Sequence, residues 1–131
     1  MMVTHKSFIR DLIASYGMDK NEIYSDFIHS DTSKEYGNFV AKRGIQQITI
    51  YLPLRYPVRV VMDKLYLSKD GEPKYFSVKR FSNELGYYLF IFLHEFHHCL
   101  CYNKKVEHTD SEAEAWNYAM VQYKKFQRSF K

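Results

Sequence analysis

The stretch Leu85-Gly86-Tyr87-Tyr88-Leu89-Phe90-Ile91-Phe92-Leu93-His94-Glu95-Phe96-His97-His98-Cys99-Leu100-Cys101-Tyr102 decides how this chain is read. Wound as a helix it carries apolar side chains on nearly every face, so it needs partners on all sides and belongs at the centre of the fold. Ser82 stands where an N-cap would, which predicts a helix from about Asn83 to Tyr102. Its longest apolar run, Leu85 to Leu93, is too short to span a bilayer.

Within that apolar helix sits His94-Glu95-Phe96-His97-His98. Residues advance by about 100° each, so His94 and His98 lie about 40° apart, one turn from each other on one face, where two imidazoles can grip one ion. Glu95 is offset by about 100° from His94, outside the ligand set and beside a water that the ion activates. Zinc lowers the pKa of such a water to about 7, and a neighbouring carboxylate can take its proton during attack on a carbonyl and return it to the leaving amine. The bland alternative is that the imidazoles only satisfy core hydrogen bonds. Burying His94, Glu95, His97 and His98 among Leu, Phe, Ile, Tyr and Cys with neither metal nor partners would cost several kcal/mol. His97 reads as a structural histidine.

A catalytic zinc takes three protein ligands and keeps one position open. The candidates for the third are His108, Asp110, Glu112 and Glu114, downstream of the histidine helix. A last helix is expected to begin near Thr109 to Ser111 and run to about Gln127. On it, Trp116, Ala119, Tyr123, Phe126 and Phe130 fall within about 40° of the line through Glu112, whereas Glu114 falls about 200° away. Glu112 is thus the expected carboxylate in the middle of the buried face. Glu114 points to solvent and suits a capping box with Ser111, and Thr109 with Glu112 forms a competing box. Cys101 shares the His94/His98 face one turn on and could bind zinc, or serve as a small apolar filler.

His94-Glu95-x-x-His98 followed by Asp110-Ser111-Glu112-Ala113-Glu114-Ala115-Trp116-Asn117-Tyr118-Ala119 resembles the gluzincin metallopeptidases, most nearly the ImmA/IrrE type. The resemblance runs from about Leu89 to Met120. It implies zinc (Zn2+) as cofactor, His94, His98 and Glu112 as ligands, Glu95 as general base, and a protein or peptide as substrate. It also implies a small sheet beside the active helix with an extended peptide bound along an edge strand, supplied by Ile45 to Leu52 or by Lys74 to Val78. Trp116 stands where that type usually has Asn. The metzincin pattern does not hold, because Cys101 occupies its Gly position and Lys104 its third His. A SprT-like, DNA-associated protease would need His108 as third ligand.

Two other readings compete with hydrolysis. In one, zinc staples the last two helices of a protein-binding module, with Cys101 or His108 closing the tetrahedron. In the other, Glu95-x-x-His98 belongs to a di-iron carboxylate site, which requires a second such pair, and the chain has none.

Working outward, Thr4 can cap a helix through Phe8, Ile9, Leu12 and Ile13, with Gly17 as its C-terminal cap. A second short helix is expected over Asn21 to His29, with Ile23, Phe27 and Ile28 inward. From Gly37 the texture turns to β: Phe39-Val40, then Ile45 to Leu52 with Ile48, Ile50 and Leu52 alternating, ended by Pro53 and Pro57. Val58 to Leu67 fits a strand or a helix; Asp70-Gly71 and Pro73 mark a turn and Lys74 to Val78 a returning strand, which favours a hairpin. The expected class is α+β: about three strands, mixed or antiparallel, packed on the central histidine helix between N- and C-terminal helices, as one zincin-like domain over 1–131.

Composition sets the outer bounds. The 131 residues are 46% hydrophobic and 26% charged, with five Gly and three Pro, a globular balance without biased tracts. The net charge is +4, and the basic residues Lys104, Lys105, Lys124, Lys125, Arg128 and Lys131 read as solvated faces, so nucleic acid is not indicated. Met1 to Ser7 lacks the apolar segment of a signal peptide, and Cys99 and Cys101 are too close on one helix to pair. An intracellular, cytoplasmic protein with no membrane partner is expected.

Overall fold

The computed structural model describes residues 5–18, 23–30, 36–63, 76–107 and 111–129. Helix α1 spans His5–Ser15, and strands β1 to β5 span Ile23–His29, Gly37–Lys42, Ile45–Leu52, Val58–Asp63 and Phe76–Phe81. Helices α2 and α3 span Glu84–Tyr102 and Glu112–Ser129. These are three helices with two small sheets, an α+β arrangement.

Helix α2 is the centre, as its composition requires. Every residue from Leu89 to His97 is buried, as are Tyr87, Cys99 and Leu100. Its N-cap is Asn83, one residue after the expected Ser82, and the Asn83 side chain accepts from Gly86 N at 2.9 Å. At the other end Asn103 donates to Cys99 O at 2.8 Å and to Gln46 Oε1 at 2.6 Å, tying the last turn to β3.

One side of α2 is covered by a three-stranded sheet in the order β1-β3-β2. Strand β3 turns Ile48, Ile50 and Leu52 into the core, the expected period-two face. It pairs antiparallel with β2 through a two-residue Arg43-Gly44 turn, both at positive φ. The second sheet pairs β4 antiparallel with β5. Val60 and Met62 face inward and Val61 is exposed, which resolves Val58–Asp63 of the ambiguous segment as strand; Lys64 to Leu67 lie outside the described residues. The returning strand is described over Phe76–Phe81, overlapping the expected Lys74 to Val78 at Phe76 to Val78; Asp70, Gly71, Pro73, Lys74 and Tyr75 lie outside the described residues.

The expected helix over Asn21 to His29 is instead β1, paired in parallel with β3 from Ile23↔Gln46 to His29↔Leu52. Ile23, Phe27 and Ile28 have helical spacing, but only Ile23 is buried; Phe27 and Ile28 stay about half exposed. The backbone ladder with β3 places β1 in the sheet, and Ser25 Oγ meets the Tyr88 hydroxyl of α2 at 2.7 Å. With β1 and β2 on its two sides, β3 is an inner strand and cannot offer the edge expected of Ile45 to Leu52.

Helix α1 ends as its sequence indicates, with Gly17 at φ 71°, a left-handed position that costs glycine least. Thr4, its expected cap, lies outside the described residues. Phe8 and His5 pack their rings on Phe126 of α3 at 5.1 and 4.7 Å. No helix among the described residues is long and apolar enough to cross a membrane.

Candidate metal centre

Two helices each contribute a pair of residues one turn apart. Helix α2 supplies His94 and His98, whose ring centroids are 5.1 Å apart. Helix α3 supplies Glu112, its first residue, and Trp116. Ser111 precedes α3 and its Oγ accepts from Glu114 N at 3.2 Å, which fixes the start of the helix and the direction in which Glu112 leaves it. Glu112 and Glu114 both lie in the first turn, where the helix dipole favours negative charge.

The Glu112 carboxylate spans both histidines. Its Oε2 is 3.0 Å from His94 Nε2 and its Oε1 is 2.9 Å from His98 Nε2. One ligand atom from each of the three residues lies within 4.8 Å of the others. Donors about 2.0 to 2.2 Å from a tetrahedral zinc are separated by about 3.3 to 3.6 Å, so shifts of about 1 Å convert this hydrogen-bonded trio into a ligand set. Two imidazoles and one carboxylate also suit a borderline-soft divalent ion.

Charge and burial act together. Burial works against charging His94, but hydrogen bonds to Glu112 and Glu95 outweigh it and raise its pKa above the ordinary imidazole value. Hydrogen bonds from His94 and His98 hold Glu112 well below the usual carboxylate range. An ion at this place would take over the interaction that protons on the two Nε2 atoms now make.

Exposure separates the three candidate ligands. The His94 side chain is 5% exposed, that of His98 17%, and that of Glu112 55%. Glu112 was expected at the middle of a buried face; Trp116, Ala119 and Phe126 on its line are indeed buried. Glu112 itself opens to solvent because, as the first residue of α3, it sits where the α2–α3 interface ends.

Glu95 is 4% exposed, and its Oε1 lies 3.0 Å from His94 Nδ1, the ring nitrogen on the side opposite Glu112. Strand β2 comes close to it: a Cβ on Gly37 would stand 3.3 Å from Glu95 Cγ, 3.0 Å from Ile91 Cγ2 and 2.7 Å from Thr49 O. Only glycine fits there without displacing backbone.

Cys101 stands apart from the trio, its Sγ 3.8 and 3.9 Å from the His97 ring nitrogens. His97 is fully buried and its ring lies 5.3 Å from that of Tyr118. Cys99 donates to Gln46 Oε1 at 3.3 Å, and burial pushes its thiol up to about 12. His108, Thr109 and Asp110 lie outside the described residues.

Two features of the site went unread in the sequence: the approach of Gly37 and the packing of Trp116 on His94, with ring centroids 3.6 Å apart and planes at 12°. The second had a signal, since Trp116 lies one turn beyond Glu112 on the same line. A separate cavity of about 700 Å³ lies beside the N-terminal half of α2, between Ile9 and Ile13 of α1 and Phe27 of β1, and shares no residue with the trio. Comparison with protein-family models, curated proteins and solved structures finds no match.

Proposed function

We propose that the protein is a zinc-dependent metallopeptidase with a zincin-like arrangement, of the gluzincin kind that its His-Glu-x-x-His and Glu-x-Glu-Ala segments resemble. The observation that carries the reading is the convergence of His94, His98 and Glu112 on one point, with the third member half open to solvent. A structural zinc is enclosed by four protein ligands, whereas a hydrolytic one keeps a position for water and substrate. Of the two residues that could close a tetrahedron, Cys101 has its Sγ 3.8 Å from His97 Nδ1 instead, and His108 lies outside the described residues. The exposure of Glu112 on the solvent side of the trio is what favours hydrolysis over the zinc-stapled binding module.

In this reading His94, His98 and Glu112 hold the ion, which when bound polarises a carbonyl and acidifies a water. Glu95 takes the proton of the attacking water and passes it to the leaving amine, for which its carboxylate turns away from His94 Nδ1. The substrate is an extended peptide lying along β2, an outer strand that reaches Glu95 through Gly37.

The test is metal analysis coupled to peptide cleavage. One zinc per chain is expected, abolished by His94→Ala, His98→Ala or Glu112→Ala. At saturating zinc, Glu95→Gln should load the ion and lose cleavage by at least about 100-fold. Undiminished cleavage by Glu95→Gln, or none by the zinc-loaded parent on any peptide library, defeats the peptidase reading.

A further inference from the structure

We infer that Trp116 and Glu95 are positioning residues that pre-set His94 as an Nε2 metal ligand, Trp116 by stacking on its ring and Glu95 by holding its Nδ1. The inference rests on the metal-binding part of the proposed function and extends it to residues that touch no ion.

An imidazole on a helix has a ring orientation and a tautomer to settle before it can bind a metal. Both are settled here by contacts. The indole of Trp116 lies 3.6 Å from the imidazole with planes at 12°, which fixes the ring plane. Glu95 Oε1 at 3.0 Å from Nδ1 accepts the proton of that nitrogen, so Nε2 is the atom left to coordinate, and it points at Glu112.

Trp116 is itself held in place. Its ring stacks on Phe90, one turn before His94 on α2, at 5.8 Å and 16°, and meets Tyr36 edge-on at 5.9 Å. Tyr36 joins both sheets, since its hydroxyl accepts from Val61 N of β4 at 3.0 Å and its carbonyl from Tyr51 N of β3 at 2.9 Å. The His94 ring therefore inherits its orientation from the packed body of the protein.

The stack does more than fill space. A metal-bound imidazole is electron-poor, and the face of an indole is the most electron-rich surface a side chain offers, so the contact is stronger with the ion bound than with a neutral, unloaded imidazole. A group that prefers the loaded state raises affinity for the ion. An aliphatic side chain of similar bulk lacks this preference.

Trp116 is the sole tryptophan, so its fluorescence reports on His94 directly. Zinc added to the metal-stripped parent should change that emission saturably at one equivalent. Chelator competition should show zinc bound about 10- to 100-fold more weakly by Glu95→Gln and by Trp116→Leu, the range typical of groups behind a metal ligand. Trp116→Phe, which keeps an aromatic face, should recover most of the affinity, with a cobalt(II) absorption spectrum close to that of the parent. Phe126→Leu, a core change away from the site, should lower the melting temperature and leave zinc affinity unchanged. Glu95→Gln preserves shape and so tests the idea even if Trp116→Leu folds poorly. Parent affinity in both Glu95→Gln and Trp116→Leu overturns the inference and leaves the metal centre standing. A loss that Phe126→Leu matches overturns it too, as mere stability. A parent that binds no zinc overturns both this inference and the proposed function.

Discussion

Helix α2 covers a sheet of which strand β1 is an outer member, and the two are held on opposite terms. In α2 every residue from Leu89 to His97 is buried, and four ionisable side chains are enclosed or nearly so with defined partners. In β1 one residue of seven is buried, and Tyr24, Phe27 and Ile28 stand about half exposed. The lesson is that the two elements owe their place to different forces. Burial of side chains holds α2, and a ladder of backbone hydrogen bonds holds β1.

Truncating one phenylalanine in each gives the largest expected difference. Phe90→Ala should cost about 3 to 5 kcal/mol in denaturant unfolding, because Phe90 is fully buried and its removal leaves a cavity beside Trp116. Phe27→Ala, at 50% exposure, should stay within about 0.5 kcal/mol. Equal losses would mean that β1 is held by its side chains after all.

A smaller effect tests the junction between sheet and helix. Gly37→Ala places a Cβ 2.7 Å from Thr49 O, a backbone atom that cannot swing aside, and should destabilise by about 1 to 3 kcal/mol. The strain falls on Ile91 and Glu95, so zinc affinity should drop with stability. Full stability in this variant would show that β2 approaches α2 less closely than its register requires.

The smallest expected effect is a pH profile of the metal-stripped protein. His94 has a raised pKa, so its contribution is complete below the unfolded imidazole value of about 6.5 and is lost as pH rises through the folded one. Glu112 has a depressed pKa, so its contribution is present above the unfolded value of about 4.3 and is lost as pH falls through the folded one. Melting temperature should therefore peak between about pH 4.3 and 6.5, modestly, since Glu112 is half exposed. Saturating zinc should shift the optimum upward, because the ion competes with the protons on Nε2. A flat profile would dissociate the trio from stability.

The legibility of the chain follows the same division. Helix α2, the period-two face of β3 and the Gly17 cap were all readable, because each is set by local periodicity or by a single backbone requirement. Strand β1 was misread as a helix, since Ile23, Phe27 and Ile28 have helical spacing and its ladder partner lies more than twenty residues away. In the candidate site the i, i+4 pair His94/His98 and the line through Glu112 and Trp116 were visible as spacing alone. The half-open position of Glu112 was not, because it depends on where the interface of two helices ends.

The amino-acid sequence by itself determined the central helix and the residue types able to hold an ion, since composition and a period of 3.6 are properties of one segment. Only the tertiary structure decided that Glu112 reaches both imidazoles, that Glu95 lies behind His94 and that Trp116 covers its ring. The first and the last are contacts between segments about twenty residues apart, set by how α3 docks on α2, and the place of Glu95 beside its neighbour His94 depends on how closely Gly37 lets β2 approach.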